Sequence, residues 1–145
     1  ITTTAKVPHP YEFFHDEPGF NYRMPNLNAA LGCAQMEVIN KYLKQKRLLA
    51  EAYIDLFKGT DFKFVTEPEY AQSNYWLNAI ICPNKQSREE ILTGTNSSGV
   101  MTRPIWQLMH RLPMFEHALR GDLTHSEFIE AHLINLPSTP VEIKN

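Results

Sequence analysis

The stretch GFNYRMPNLNAALGCAQME, Gly19 to Glu37, decides the reading of this chain. Its first half is a polar and aromatic loop, and its second half opens a helix. Pro25 suits a first helical turn, where its missing N–H is no loss, with Met24 or Asn26 at the cap. Leu27, Leu31, Ala34 and Val38 then recur in steps of four, three and four, and Tyr42, Leu49, Tyr53 and Leu56 carry the stripe to Phe57. Gly59 is the expected stop. The spacing therefore predicts one helix over 27–58. Unbroken, it would run to about 45 Å, longer than a compact domain of this size is wide. The polar run Lys44-Gln45-Lys46-Arg47 interrupts the stripe, so a kink or a passage through solvent is expected there. The small residues Asn28 to Ala34 include Gly32, which costs helix stability but lets another backbone come close. That half of the helix reads as built to pack against a second body.

Upstream, residues 1–26 read as a loop segment. Pro8, Pro10 and Pro18 break any helix, and Tyr11, Phe13, Phe14 and Phe20 call for a surface to pack on. The chain begins Ile1-Thr2-Thr3-Thr4 without a leader pattern, and the expectation is a piece of a longer protein. Downstream, residues 59–145 read as a small α+β domain. Phe62–Val65, Tyr75–Cys82, Val100–Arg103 and Leu133–Leu136 are expected strands. Ser87-Arg88-Glu89-Glu90 has the capping-box pattern of a helix start running to about Asn96. Short helices are expected at Ile105–His110, Met114–Ala118 and Ser126–His132.

The composition bounds the function. The 145 residues are 43% hydrophobic and 21% charged, with a formal net charge of -2 and a pI near 6.3. One ordinary globular domain fits those values. A general nucleic-acid binder would usually be basic, and no apolar run reaches the ~18 residues of a membrane span. The expectation is a soluble, cytoplasmic chain. The six histidines include no pair at the i,i+4 spacing of a helical metal site, and His15-Asp16 alone makes no phosphohydrolase motif. Cys33 and Cys82 read as buried, unreactive thiols. The six glycines are scattered and form no phosphate loop. A self-contained catalytic apparatus is not expected.

Two segments carry polar chemistry. Asn21, Tyr22 and Arg23 place an amide, a phenol and a guanidinium beside a helix start, where backbone N–H groups favour anions. They are equally readable as a capped surface loop. Thr102-Arg103-Pro104-Ile105-Trp106-Gln107-Leu108-Met109-His110 puts Arg103, Trp106 and His110 on a strand-to-helix turn. An indole four residues from an imidazole can line a sugar site, or Trp106 can be core with His110 its exposed neighbour.

Taken together, these segments resemble the C-terminal part of sugar-nucleotide aminotransferases of the DegT/StrS type, the perosamine synthetase-like enzymes. The resemblance rests on Gly19–Glu37 above all. Thr3-Thr4-Ala5-Lys6, His15-Asp16, Lys46-Arg47 with Tyr53, Tyr75-Trp76, Thr102–His110 with Pro113, and Ile134-Asn135-Leu136-Pro137-Ser138 extend it to about residues 2–139. It implies the C-terminal small domain of an aspartate-aminotransferase-like (fold type I) enzyme, with a long leading helix and a sheet of three or four strands. It implies pyridoxal 5'-phosphate, held by a lysine of a large preceding domain, and amino transfer, usually from glutamate, to a nucleotide-linked keto-sugar of surface polysaccharides. None of the eight lysines here matches that lysine's motif, Lys6 included. A homodimer with shared active sites is also implied. Asn21 then resembles a residue facing the cofactor phosphate of the other subunit, His110 one at the sugar nucleotide, and Tyr22, Arg23, Arg103 and Trp106 further substrate contacts. The competing expectation is a non-catalytic dimerising or binding module of the same architecture.

Overall fold

The computed structural model describes residue 22 and residues 24–140. The sequence-predicted sites Asn21 and Arg23, and the aromatic loop before them, lie outside the described residues. The chain forms two compact units, Ile1–Asn40 and Lys41–Asn145, and the division falls within helix α1 (Asn26–Phe57) rather than at its ends. The helix is continuous, and Gly59 follows it at φ +76°, a left-handed conformation that favours glycine.

The larger unit is an α+β layer, as the sequence predicts. Strands β1 (Lys63–Phe64), β2 (Asn78–Ile81), β3 (Arg103–Pro104) and β4 (Leu133–Leu136) form one antiparallel sheet in the order β1-β2-β4-β3. The central pair aligns Asn78 with Leu136 and Ile80 with Ile134. Alternation gives the sheet two faces. Asn78, Ile80, Ile134 and Leu136 are buried, whereas Ala79, Ile81 and Asn135 are half-buried. The core joins Ile80, Ile134, Leu136, Phe64, Tyr75 and Cys82 to Ala50 of α1, with Tyr53, Phe57, Ile91 and Leu92 packed on it.

Several boundaries depart from the sequence expectation, each for a local reason. The Lys44–Arg47 run lies within the continuous helix, and beyond the exposed Lys44 its residues are half-buried. Lys46 Nζ donates to the carbonyls of Trp76 (3.2 Å) and Ser138 (2.6 Å), and Arg47 makes a two-pronged pair with Glu67 (2.6 and 3.1 Å). The strand expected from Tyr75 begins only at Asn78. Tyr75 sits at φ +46°, its N–H donates to Ser73 Oγ, and the Trp76 N–H donates to Asn74 Oδ1, so side chains take the donors a ladder would use. Helix α2 (Lys85–Ser97) starts before Ser87 because Asn84 caps it, accepting from the Ser87 N–H, while Glu90 takes the Gln86 amide instead. Asn96 Nδ2 donates to the Thr102 carbonyl and hydroxyl and closes the end of α2, so β3 starts at Arg103, three residues later than the strand expected over Val100–Arg103. The helices expected at Ile105–His110 and Met114–Ala118 are single 3-10 turns, Met109–Arg111 and Pro113–Phe115; α3 (Thr124–His132) forms as expected. Cys82 is buried, and burial raises its thiol pKa, whereas Cys33, expected to be buried, is exposed.

Arg47 and the Ser73 N–H hold the Glu67 carboxylate down to about 2, below the ~4.3 of an unfolded glutamate. Its contribution to stability is therefore complete above the unfolded value and is lost as pH falls through about 2. Urea titrations of the wild type between about pH 5 and pH 2 should show a falling midpoint that Glu67→Gln flattens. Equal acid sensitivity of the two proteins would show that this pair does not carry the effect.

Candidate functional site

The candidate site lies on the half-buried face of the sheet and along the segment that leaves β3. Pro104 sits on an edge strand, where a missing N–H breaks no ladder on the solvent side. From there residues 105–108 form neither helix nor strand, and Leu108 is extended (φ −61°, ψ +137°), its N–H taken by Glu130 Oε1 at 2.8 Å. This carboxylate also pairs with Arg111 at 3.0 Å, so α3 holds the segment at two points.

This path separates residues that a helix would have stacked. Trp106, 68% exposed, lines a cavity of about 400 Å³ with Leu77, Arg103, Pro104, Ile105 and Asn135. His110 instead lines a separate cavity of about 440 Å³ whose wall is largely apolar, with Leu108, Met109, Phe115, Ala118 and Leu123. The pairing of Trp106 with His110 expected from their spacing is thus corrected, because i,i+4 neighbours meet only on a helix. Arg103 and Trp106 do share a wall. Among the described residues the Arg103 guanidinium reaches only Met101 Sδ, at 3.5 Å, and His110 Nε2 stands 3.9 Å from Glu127 Oε1. Tyr22 is exposed.

Two features of this region escaped the sequence reading. Leu77 and Asn135 line the Arg103–Trp106 cavity, and the only trace in the sequence is an asparagine inside the apolar run Leu133–Leu136. A larger cavity, about 710 Å³, lies behind the same segment and is lined by Lys85, Arg88, Glu89, Arg111, Glu127 and Glu130 among others. Its charges are largely internally paired, Arg88 with Glu89 and Arg111 with Glu130.

The model of the DegT/DnrJ/EryC1/StrS aminotransferase family matches residues 4–142. The chain belongs to that family. It is 35% identical over 131 residues to a GDP-perosamine synthase of Vibrio cholerae, covering 88% of this chain and 36% of the relative. It is 33% identical over 108 residues to the putative pyridoxal phosphate-dependent aminotransferase EpsN of Bacillus subtilis, covering 72% of this chain and 27% of the relative. Among solved structures it resembles Helicobacter pylori PseC, an aminotransferase involved in the biosynthesis of pseudoaminic acid, with a TM-score of 0.75 at 17% identity over 96% of this chain and 38% of PseC. That likeness shows the fold. The chain thus spans roughly a third of the length of the relatives it matches.

Trp76 and Trp106 are the two tryptophans, and both indoles are more than two-thirds exposed. The fluorescence of the chain should be that of water-exposed indole and be quenched by iodide nearly as strongly as free tryptophan. A blue-shifted emission protected from iodide would show that one of them is covered.

Proposed function

We propose that this chain is the C-terminal part of a pyridoxal phosphate-dependent aminotransferase that moves an amino group from glutamate to a nucleotide-linked keto-sugar for surface polysaccharides. The observation that carries the reading is the family match over residues 4–142. The GDP-perosamine synthases of Vibrio cholerae and Escherichia coli O157:H7 support amino transfer, at 35% and 30% identity. The GDP-4-keto-6-deoxy-D-mannose 3-dehydratase of Escherichia coli O55:H7 is more distant, at 21%. The working unit in this reading is a cytoplasmic homodimer whose subunits share their active sites. The apolar face of Leu27, Leu31 and Val38, exposed in this structure, then packs on the remainder of the enzyme.

The described residues do not fit pyridoxal phosphate on their own. Lys46 Nζ is committed to two carbonyls, and Lys85 faces a cavity in which Arg88 and Arg111 are paired with Glu89 and Glu130, so these cations are not free to hold a phosphate ester. The cofactor lysine therefore belongs to the rest of the enzyme, and the cofactor when bound supplies the electron sink that amino transfer needs. The structure of the putative sugar aminotransferase Spr1654 from Streptococcus pneumoniae, in its PMP form, shares the fold at a TM-score of 0.75 and 17% identity over 95% of this chain and 36% of that one. In this chain, Asn21 donates to the cofactor phosphate of the partner subunit, with Tyr22 and Arg23 beside it. Arg103 and Trp106 hold the nucleotide end of the substrate, and His110 meets the sugar. Their separate cavities suit two points of contact along an extended ligand.

The 145-residue chain alone should acquire no dialysis-stable chromophore with pyridoxal phosphate; a stable visible-edge band would place a cofactor lysine within it. In the intact enzyme, loss of one hydrogen bond to a charged phosphate weakens binding by roughly ten- to a hundredfold, so Asn21→Ala should lose cofactor by about that factor. Mixed dimers of Asn21→Ala subunits with subunits lacking the cofactor lysine should regain activity, because one site then has both groups. No recovery after verified subunit exchange would reject a shared site.

A further inference from the structure

We propose that Asn135, together with Arg103 and Trp106, reads the base of the nucleotide ligand. The sheet register places the first two side by side. Asn135 pairs with Ala79 on β2 and with Arg103 on β3, so the three form one row across the sheet. Cross-strand partners on one face hold their Cβ atoms about 5 Å apart. Ile134 and Leu136 turn into the core, so the Asn135 amide is committed to the opposite face, on the floor of the Trp106 cavity.

The hydrogen-bonding capacity of this row is unspent. The Asn135 amide has no partner among the described residues. Asn78, on the buried face, contrasts with it by donating its Nδ2 to Ser138 Oγ at 3.2 Å. Arg103 spends one N–H on a long contact to a sulfur. Asparagine is disfavoured in strands, and on an inner strand between Ile134 and Leu136 an apolar residue would serve packing better. The cavity therefore offers guanidinium donors, an amide that both donates and accepts, and an indole, all within a wall of Leu77, Pro104 and Ile105. A phosphate would use the donors but leave the amide carbonyl and the indole idle. An apolar segment would bury both polar groups unpaired. A planar base with donors and acceptors on its edge satisfies all three, stacking on the ring while the amide and guanidinium bond its edge.

This inference rests on the nucleotide-sugar reading for the source of the base. Its test is binding to the intact enzyme, with GDP, UDP and ADP as probes and inorganic pyrophosphate as the base-free control. One nucleoside diphosphate should bind at least about tenfold more tightly than the other two. Asn135→Ala should bring all three within about threefold while leaving pyrophosphate unchanged. Arg103→Met should weaken the preferred nucleotide, and Asn135→Ser serves if the alanine variant does not fold. Equal binding of the three by the wild type, or a preference that survives Asn135→Ala or Asn135→Ser, overturns the proposal. Amino transfer is measured separately. An enzyme that aminates sugar nucleotides with a base preference indifferent to Asn135 refutes the base contact alone. Loss of base preference on substitution, in a protein that aminates no sugar nucleotide, keeps the base contact and refutes the proposed reaction.

Discussion

Two adjacent cations on α1, Lys46 and Arg47, tie the helix to the ends of the sheet. Lys46 reaches the carbonyl of Trp76, just before β2, and that of Ser138, just after β4. Those strands are paired from Asn78 with Leu136 onward, so one ammonium closes the same end of the central ladder from both sides. Burial lowers the lysine pKa. Arg47 pairs with Glu67 and donates to the Ser73 carbonyl at 2.6 Å, while the Ser73 N–H returns to Glu67. The segment between β1 and β2 is thereby held without a ladder of its own. A lysine and an arginine at the middle of a helix read, by type, as a solvated face; here they make the helix–sheet joint.

That joint has consequences for the opposite face. In a regular strand Trp76 would share a face with Asn78 and Ile80 and enter the core. The left-handed turn at Tyr75 changes the alternation. Tyr75 is buried instead, its ring near Phe64 and beneath the Arg47 guanidinium at 5.6 Å, and Trp76 is turned outward. A strained non-glycine residue of this kind costs of order 1–3 kcal/mol and persists only where its surroundings over-determine it. The Ser73 and Asn74 side chains and Arg47 do so here. Leu77 emerges from that turn onto the wall of the cavity shared by Arg103, Trp106 and Asn135.

The same arrangement bears on what this chain contributes to the proposed enzyme. The described part of this chain supplies a sheet face, the segment that leaves β3 and their side chains, while Lys46 is spent on structure. Binding and orientation are what such a surface can contribute. The chain spans about a third of its relatives, and the chemistry of amino transfer in the proposed enzyme falls to the remainder.

The sequence by itself determined what depends on neighbours in the chain. The periodicity of Leu27 to Leu56 marked α1, Gly59 marked its stop, and the Leu133–Leu136 run marked β4 almost to the residue. The long motif at Gly19–Glu37 carried the family. What only the tertiary structure decided depends on partners distant in sequence. Asn84 displaced Ser87 as the cap of α2, Glu130 held Leu108 extended and so parted Trp106 from His110, and the register of β4 set Asn135 beside Arg103. Spacing along a chain predicts a shared face only once the period is known. That period was settled here by hydrogen bonds from other elements, which no local pattern contains.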